Sequence, residues 1–465
     1  MVNSKPLIAA QRFGLGARPG ELATIGDPRA WLETQVRGPG PTPPELASLS
    51  DSATILGGFL AARRERREEK KEGGDPVKQT VDLIRKQIVP HYLAQVEART
   101  RIAVNTSAPF HERLVYFWTN HFAVSVDKPV VTGIAGALEN EAIRPHVTGR
   151  FVDLLLAVEQ HPAMIMYLDN ELSVGPNSRL ALMAARRRPD PKRKIDINEN
   201  LGREILELHT LGVDGGYTQA DVTSFARVLT GWSIGGGQGL LAAGKPGAFH
   251  FRENAHEPGS QRILGRTYRE SGQEQGEAVL RDLAQHPATA HHLATKLARH
   301  FIADDPPAAS VDRIARAYRS SDGDLKAVYA ALLAEDAAWN PAPVKYKTPF
   351  EFVVSVLRAM AIEPPEGKKL AGSFEVLGQR TYSPGSPAGW PDTARDWDGA
   401  DALMKRVEWS LAVAERAAPV RDARTVASDA FGDAVSPATA RAIGRAESNA
   451  QALALLFMSP EFQRR

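Results

Sequence analysis

The chain has 465 residues, no cysteine and a formal net charge of +2. The missing cysteines exclude disulfides, thiolate metal ligands and a cysteine nucleophile, and the near-neutral balance excludes strong global steering of anions. Hydrophobic residues make up 43% and charged residues 24%, so an ordinary core can form without covalent staples.

The N-terminal stretch "MVNSKPLIAAQRFGLGARPG" carries only one short apolar run, too short for a signal-peptide core. No window approaches the roughly 20 apolar residues of a membrane span. As written, the chain reads as cytoplasmic; a periplasmic or exported location is the alternative where a signal has been removed. "DPRAWLETQV" then opens a helix with Asp27 as N-cap and Pro28 at the first helical position. "SATILGGFLAARRERREEKKEGG" starts apolar and ends in a charge run, an exposed segment over 64–80. "DPVKQTVDLIRKQIVPHYLAQVEARTRIAV" repeats the Asp-Pro start, and Pro90 should kink or split it.

"APFHERLVYFWTNHFAVS" reads as a short apolar helix, and "GRFVDLLLAVEQHPAMIMYLD" as two helices broken at Pro162. A basic loop follows at 185–197. Residues 233–270 form a loop and hairpin insertion, with the strands in "GAFHFRENAHEPGSQRILGRTY". "EQGEAVLRDLAQHPATAHHLATKLARHFIADDPP" is another broken helix pair, and helical periodicity continues to the end. Residues 380–400 form a Pro/Gly/Trp loop, ordered because Trp390 and Trp397 need somewhere to pack. The fold class is mainly α: a single large helical domain over 1–465 with a small β-hairpin and long ordered loops.

The densest polar stretch is "NENLGREILELHTLGVDGGYTQADV", residues 198–222. Asn198 can cap a helix, Gly212 stops it, and Thr218 with Asp221 restarts one. On an exposed face, Arg203 would pair with Glu199 and Glu207. In the alternative reading, Glu204, Glu207 and His209 face a pocket. Glu-x-x-Glu puts two carboxylates on one helix face, as an acid/base pair or an oxygen-rich metal site needs. His209 lies about 200° around the helix from Glu207, so it joins them only where the helix ends or distorts.

In "HERLVYFWTNHF", Arg113, Phe117 and His121 share one stripe, and Glu112, Tyr116 and Asn120 the next. Either a buried polar network or a ligand-facing histidine follows from that. Asp169, Asn170 and Asn177 sit at a helix exit and a turn. The basic loop has no interleaved aromatic residue, so sequence-specific nucleic-acid recognition is not expected. His292 and His300 lie eight positions apart and suggest one face, but His250, His256, His286, His291, His292 and His300 all read as surface or core residues. Lys345, Lys347 and Glu351 could form a helix-start ion pair. No nucleophile elbow, phosphate loop or dinucleotide fingerprint is present.

"FWTNHF", "HPAMIMYLDN", "GPNS", the 198–222 stretch, "ARVLTGW", "HPATAHHLATKLARHF", "KTPFEF" and "SPAGWPD" together resemble the bacterial domain-of-unknown-function family 1800. The resemblance runs from "RFGLGARPG" to "SPEFQRR". It implies a mostly helical protein, often encoded beside a second family, number 1501, which is similar to phosphatases and sulfatases and is the candidate partner. Many members carry export signals. The family's motifs fall on Trp118, Asn120, His121, Asp169, Asn170, Asn177, Glu199, Asn200, Arg203, Glu204, Glu207, His209, Thr210, Tyr217, Asp221, Arg227, Trp232 and Trp390.

The leading expectation is a hydrolase or lyase acting on a polar, anionic, carbohydrate-like substrate. Glu204, Glu207, His209 and His121 would be catalytic. Arg203, Asn120, Asp169, Asn170, Asn177, Asn200, Trp118, Trp232 and Trp390 would bind substrate. Glu204, Glu207 and His209 could instead hold a divalent metal. The competing expectations are a non-catalytic helical scaffold and a polyanion binder working through residues 186–194.

Overall fold

The computed structural model describes residues 5–38, 40–69, 76–187, 197–236 and 243–465. Residues 70–75 of the charge run and 188–196 of the basic loop fall outside them, so most of the polyanion reading at 186–194 concerns residues outside the described structure.

Proline in the first turn opens many of the helices, in several cases with the residue before it as cap. Asp27 accepts from the backbone N–H groups of Arg29 and Ala30 ahead of Pro28. His161 and His286 use Nδ1 the same way, accepting from Ala163 and Ala288 at 3.1 and 3.2 Å, each before a helix-opening proline. Pro90 splits the chain as expected: one helix ends at Gln87 and α1 (Val89–Asn105) begins with Pro90 in its first turn. A proline costs no hydrogen bond there.

The elements that position the candidate site follow in order. They are α2 (Pro109–His121), α3 (Phe151–Glu159), α4 (Asn200–Glu204), α5 (Gln219–Leu229), α6 (Gln273–Gln285), α7 (Pro287–Phe301) and α8 (Pro349–Met360). Between α5 and α6 lie two antiparallel strand pairs, where the sequence suggested one hairpin. β1 (Trp232–Ile234) pairs with β2 (Phe249–Phe251), with Trp232 opposite Phe251. β3 (Gln261–Ile263) and β4 (Arg266–Tyr268) form the hairpin, joined by Leu264 and Gly265 at φ of +50° and +78°. Positive φ at both turn residues matches the twist of the strands.

Two apolar cores meet at α8, every residue of which is buried. Phe350, Val353, Val354 and Leu357 join the large core, which draws on residues from Ile8 to Tyr382. Phe352, Val356, Ala359 and Met360 join a smaller core with α9 (Ala400–Ala417), α10 (Ala423–Phe431) and α11 (Asn449–Phe457). An all-round apolar helix is stable only when covered on every side. Its first turn, at the seam of the cores, reaches the cavity described below. Among the described residues, no helix is long and apolar enough to cross a membrane.

Candidate functional site

A cavity of about 540 Å³ opens where α2, α7, the start of α8 and the loop 379–396 converge. Two helical stripes face it. On α2 they are Arg113, Phe117 and His121; on α7 they are His292, Lys296 and His300. Each triplet is spaced by four, which puts it on one helix face. The stripes run antiparallel: Phe117 lies 5.4 Å from His300 and His121 lies 6.2 Å from His292, ring to ring.

Each imidazole is fixed by one oxygen. His121 Nε2 meets the backbone oxygen of His209 at 3.1 Å, and His292 Nε2 meets that of Leu208 at 3.1 Å. His300 Nδ1 lies 3.0 Å from Asp392 Oδ2. An acceptor oxygen makes each of these nitrogens the donor, so the ring's second nitrogen carries the lone pair. His121 Nδ1 and His300 Nε2 have no hydrogen-bond partner. Burial pushes His292 down to about 4, His121 well below the usual imidazole range, and His300 down despite the opposing pull of Asp392. All three rings are therefore neutral near pH 7.

The carbonyls held by His121 and His292 come from the 198–222 stretch. After α4 the helix widens over Ile205–Thr210, where Leu211 N–H donates five residues back to Leu206 O at 3.0 Å. Such turns leave carbonyls open to outside donors. Gly212 stops the turn at φ +85°, and a Cβ there would sit 2.9 Å from His292 Nδ1. Glycine is thus required twice, by backbone conformation and by the ring.

Lys296 differs from three of the cations around it. Arg113 is bonded to Glu351 and to the backbone oxygen of Gly14. Arg99 pairs with Glu139 at 3.1 Å within a cage of Tyr116, Phe350 and Tyr382. Lys345 is held by Asp304 and the backbone of Asp392. Lys296 makes no hydrogen bond or close ion pair among the described residues. Burial lowers its ammonium to about 8, against the pull of Asp392. Glu351 is the opposite case. Burial acts to raise it, but Arg465 and Arg113 hold it well below the carboxylate range. Its pairing is with these arginines rather than with the nearby lysines, and it also completes a capping box with Thr348.

The loop 379–396 forms the remaining wall. Asn120 grips it from the end of α2: Nδ2 donates to Trp390 O at 2.9 Å, and Oδ1 accepts from Trp390 N–H at 2.7 Å. A Cβ on Gly389 would lie 2.3 Å from Asn120 O, so only glycine allows this approach. Trp390 packs 5.8 Å from Trp397, which anchors its indole N–H on Pro391 O.

Of the residues expected to act, His121, Asn120 and Trp390 line the cavity. The others lie elsewhere. His209 does leave the regular helical path at the widened turn, but it swings inward and meets Glu159 at 2.7 Å, both fully buried. Glu207 accepts from the Tyr217 hydroxyl at 3.0 Å, and Arg203 pairs with Glu199 at 2.9 Å. Glu204 is half-buried, its carboxyl raised by burial, away from the cavity lining. Among the described residues no three His, Asp or Glu side chains assemble a metal site, so Glu204, Glu207 and His209 do not form the expected one.

Trp118 is a core residue donating to Tyr329 at 2.7 Å, and Trp232 is equally buried. Asn170 is buried and ties Leu229 O to Trp232 O. Asn177 binds Glu257, Asp169 pairs with Lys128, and Asn200 is exposed, its backbone N–H donating to Asn198 Oδ1, while the helix N-cap is Glu199 rather than Asn198. Their polar groups are spent on internal bonds or lie outside the cavity. Lys296, His292, His300 and Asp392 are the residues that sequence reasoning missed. The signal for the first three was the spacing of four in "HPATAHHLATKLARHF"; Asp392 gave no signal beyond its turn.

A family model described as protein of unknown function (DUF1800) matches residues 8–464. The chain belongs to this family. No curated protein and no solved structure matches it. Four of the stretches that carry the DUF1800 resemblance, "FWTNHF", "HPATAHHLATKLARHF", "KTPFEF" and "SPAGWPD", meet at the cavity.

Proposed function

We propose that this DUF1800 protein is an enzyme, a hydrolase or lyase, that takes a small, polar, anionic substrate into this cavity. The observation that carries the reading is the His300–Asp392 pair beside the unpartnered Lys296. A neutral imidazole whose Nδ1–H is held by a carboxylate presents Nε2 as a general base. Lys296, one turn before it, supplies an amine near neutrality. Lys296 is poised to exchange protons near physiological pH, and His300, neutral there, is available to accept one.

The lining charges support an anionic ligand. Arg99, Arg113, Lys296, Arg299 and Arg395 face Glu351, Asp392 and Asp396. Glu351 and Asp392 are already engaged by Arg113, Arg465, Lys345 and His300. The exposed Arg299 and Arg395 would draw the anion in, and the half-buried Trp390 would flank its apolar side. A carbohydrate acid fits these requirements, and so does any small carboxylate or phosphate ester.

The test is a panel of anionic metabolites screened by thermal shift against the native protein and His300→Ala. A hit should stabilise the native protein, be turned over by it, and lose at least about tenfold in turnover with His300→Ala while still binding. General-base removal is typically worth 10²–10⁴. Turnover unchanged in His300→Ala sinks the assignment. A scaffold role predicts that no small anion binds.

A further inference from the structure

We propose that the Lys296 amine is a covalent site, condensing with the carbonyl carbon of a small anionic aldehyde or keto acid to form an imine. The inference rests on the reading of the cavity as an anion-binding active site and names the substrate class. Its basis is a contrast among amines. Three lysines lie in or near the site, Lys345 and Lys347 buried and Lys296 half-buried. Lys345 is held by Asp304 and the backbone of Asp392, and Lys347 by Gln11 and Ser355 at 3.1 and 3.3 Å. Those contacts occupy their donors and keep them structural. Lys296 lines the cavity with no such contact.

Its surroundings withhold a counterion. The carboxylate that acts on it, Asp392, is engaged by His300 Nδ1 and by Lys345. The flanking turns of α7 present His292 and His300, and α2 presents His121, all neutral; Arg299 adds positive charge. An amine desolvated among such groups gives up its proton readily, and burial holds this one near 8. An anchoring ammonium would instead be expected to keep a permanent partner.

The chemistry closes without an oxidant or cofactor. The Lys296 ammonium gives one proton, through solvent in the open cavity, to His300 Nε2. The freed lone pair attacks the carbonyl carbon, forming the C–N bond while the carbonyl π-pair moves to oxygen. A proton passes from nitrogen to that oxygen, giving a carbinolamine. His300 then protonates the hydroxyl, the C–O bond breaks, and water leaves as the protonated imine forms. The overall change is ammonium plus carbonyl to protonated imine plus water. The positive lining holds the substrate's carboxylate or phosphate while this occurs.

The probe is glyoxylate with cyanoborohydride, applied to the native protein and read by peptide mass spectrometry. Lys296 should acquire a carboxymethyl group about tenfold faster than the exposed Lys326, Lys368 and Lys369, with a rate rising through pH 8. Lys296→Arg should lose only that modification. Labelling of Lys296 no faster than the exposed lysines overturns the inference. Two further arms separate it from the proposed function. Inorganic sulfate or phosphate that stabilises the protein, with no fast labelling of Lys296, leaves the anion site standing and removes the imine. Equal labelling of Lys296 by glyoxylate and by neutral propanal, without protection by sulfate, keeps the reactive amine and removes the anion selectivity.

Discussion

The stretch 198–222 and the helix face 292–300 have exchanged the roles that their compositions suggest. The first is crowded with carboxylates and amides, and nearly all are consumed internally: Arg203 by Glu199, Glu207 by Tyr217, His209 by Glu159, Thr218 by Asp221. Its contribution to the cavity is indirect, two backbone carbonyls that orient His121 and His292. The second stretch looks like an amphipathic helix with scattered histidines, yet it presents two imidazoles and a free amine to the cavity. Polar density marks where side chains need partners. A reactive site is where a side chain has been denied one.

The largest expected effect tests the structural half of this contrast. His209→Ala leaves Glu159 buried without its partner and should cost ~3–5 kcal/mol in urea unfolding. Lys296→Met removes a half-buried amine with no hydrogen-bonded counterion, so stability should hold or rise by ~1 kcal/mol while anion-induced stabilisation disappears. The reverse pattern would break the comparison.

Acid titration comes next. His121, His292 and His300 have folded pKa values below their unfolded ones, so the unfolded chain takes up protons first as pH drops. Stability should therefore decline as pH falls from about 6.5 towards 4, by on the order of a few kcal/mol. Glu351 and Asp392, also depressed, extend the loss below pH 4, because the unfolded carboxylates protonate before the folded ones. His292→Gln should flatten the upper part of the curve, measured as melting temperature against pH.

A smaller effect is expected for Asn120→Ala, which cuts both bonds to Trp390. It should cost ~1–3 kcal/mol and weaken ligand binding, with altered tryptophan fluorescence. Smallest of all, Glu204→Gln should shift stability by no more than ~0.5 kcal/mol and leave anion binding unchanged. A strong binding defect there would return the carboxylate pair to the site.

Much of the local structure was legible. The Asp27-Pro28 start, the split at Pro90, the break at Pro162, the Gly212 stop and the Thr218–Asp221 capping box all appear where the sequence places them. The stripe of Arg113, Phe117 and His121 was legible too, and it faces the cavity. The second strand pair was not, because β1 and β2 are far apart in sequence and no tight turn joins them, whereas β3 and β4 flank a two-residue turn.

The sequence by itself determined the mainly α fold and its helix boundaries, since caps, prolines and glycines act on neighbours a few residues away. Only the tertiary structure decided which polar stripe is the site. Residues 113–121, 292–300, 348–351 and 379–396 come together only when the large core closes and α8 joins it to the smaller one. That closure supplies a partner to Glu207, His209 and Glu351 and leaves Lys296 without one. No spacing rule could reveal it, because a missing partner is a property of the whole packed fold.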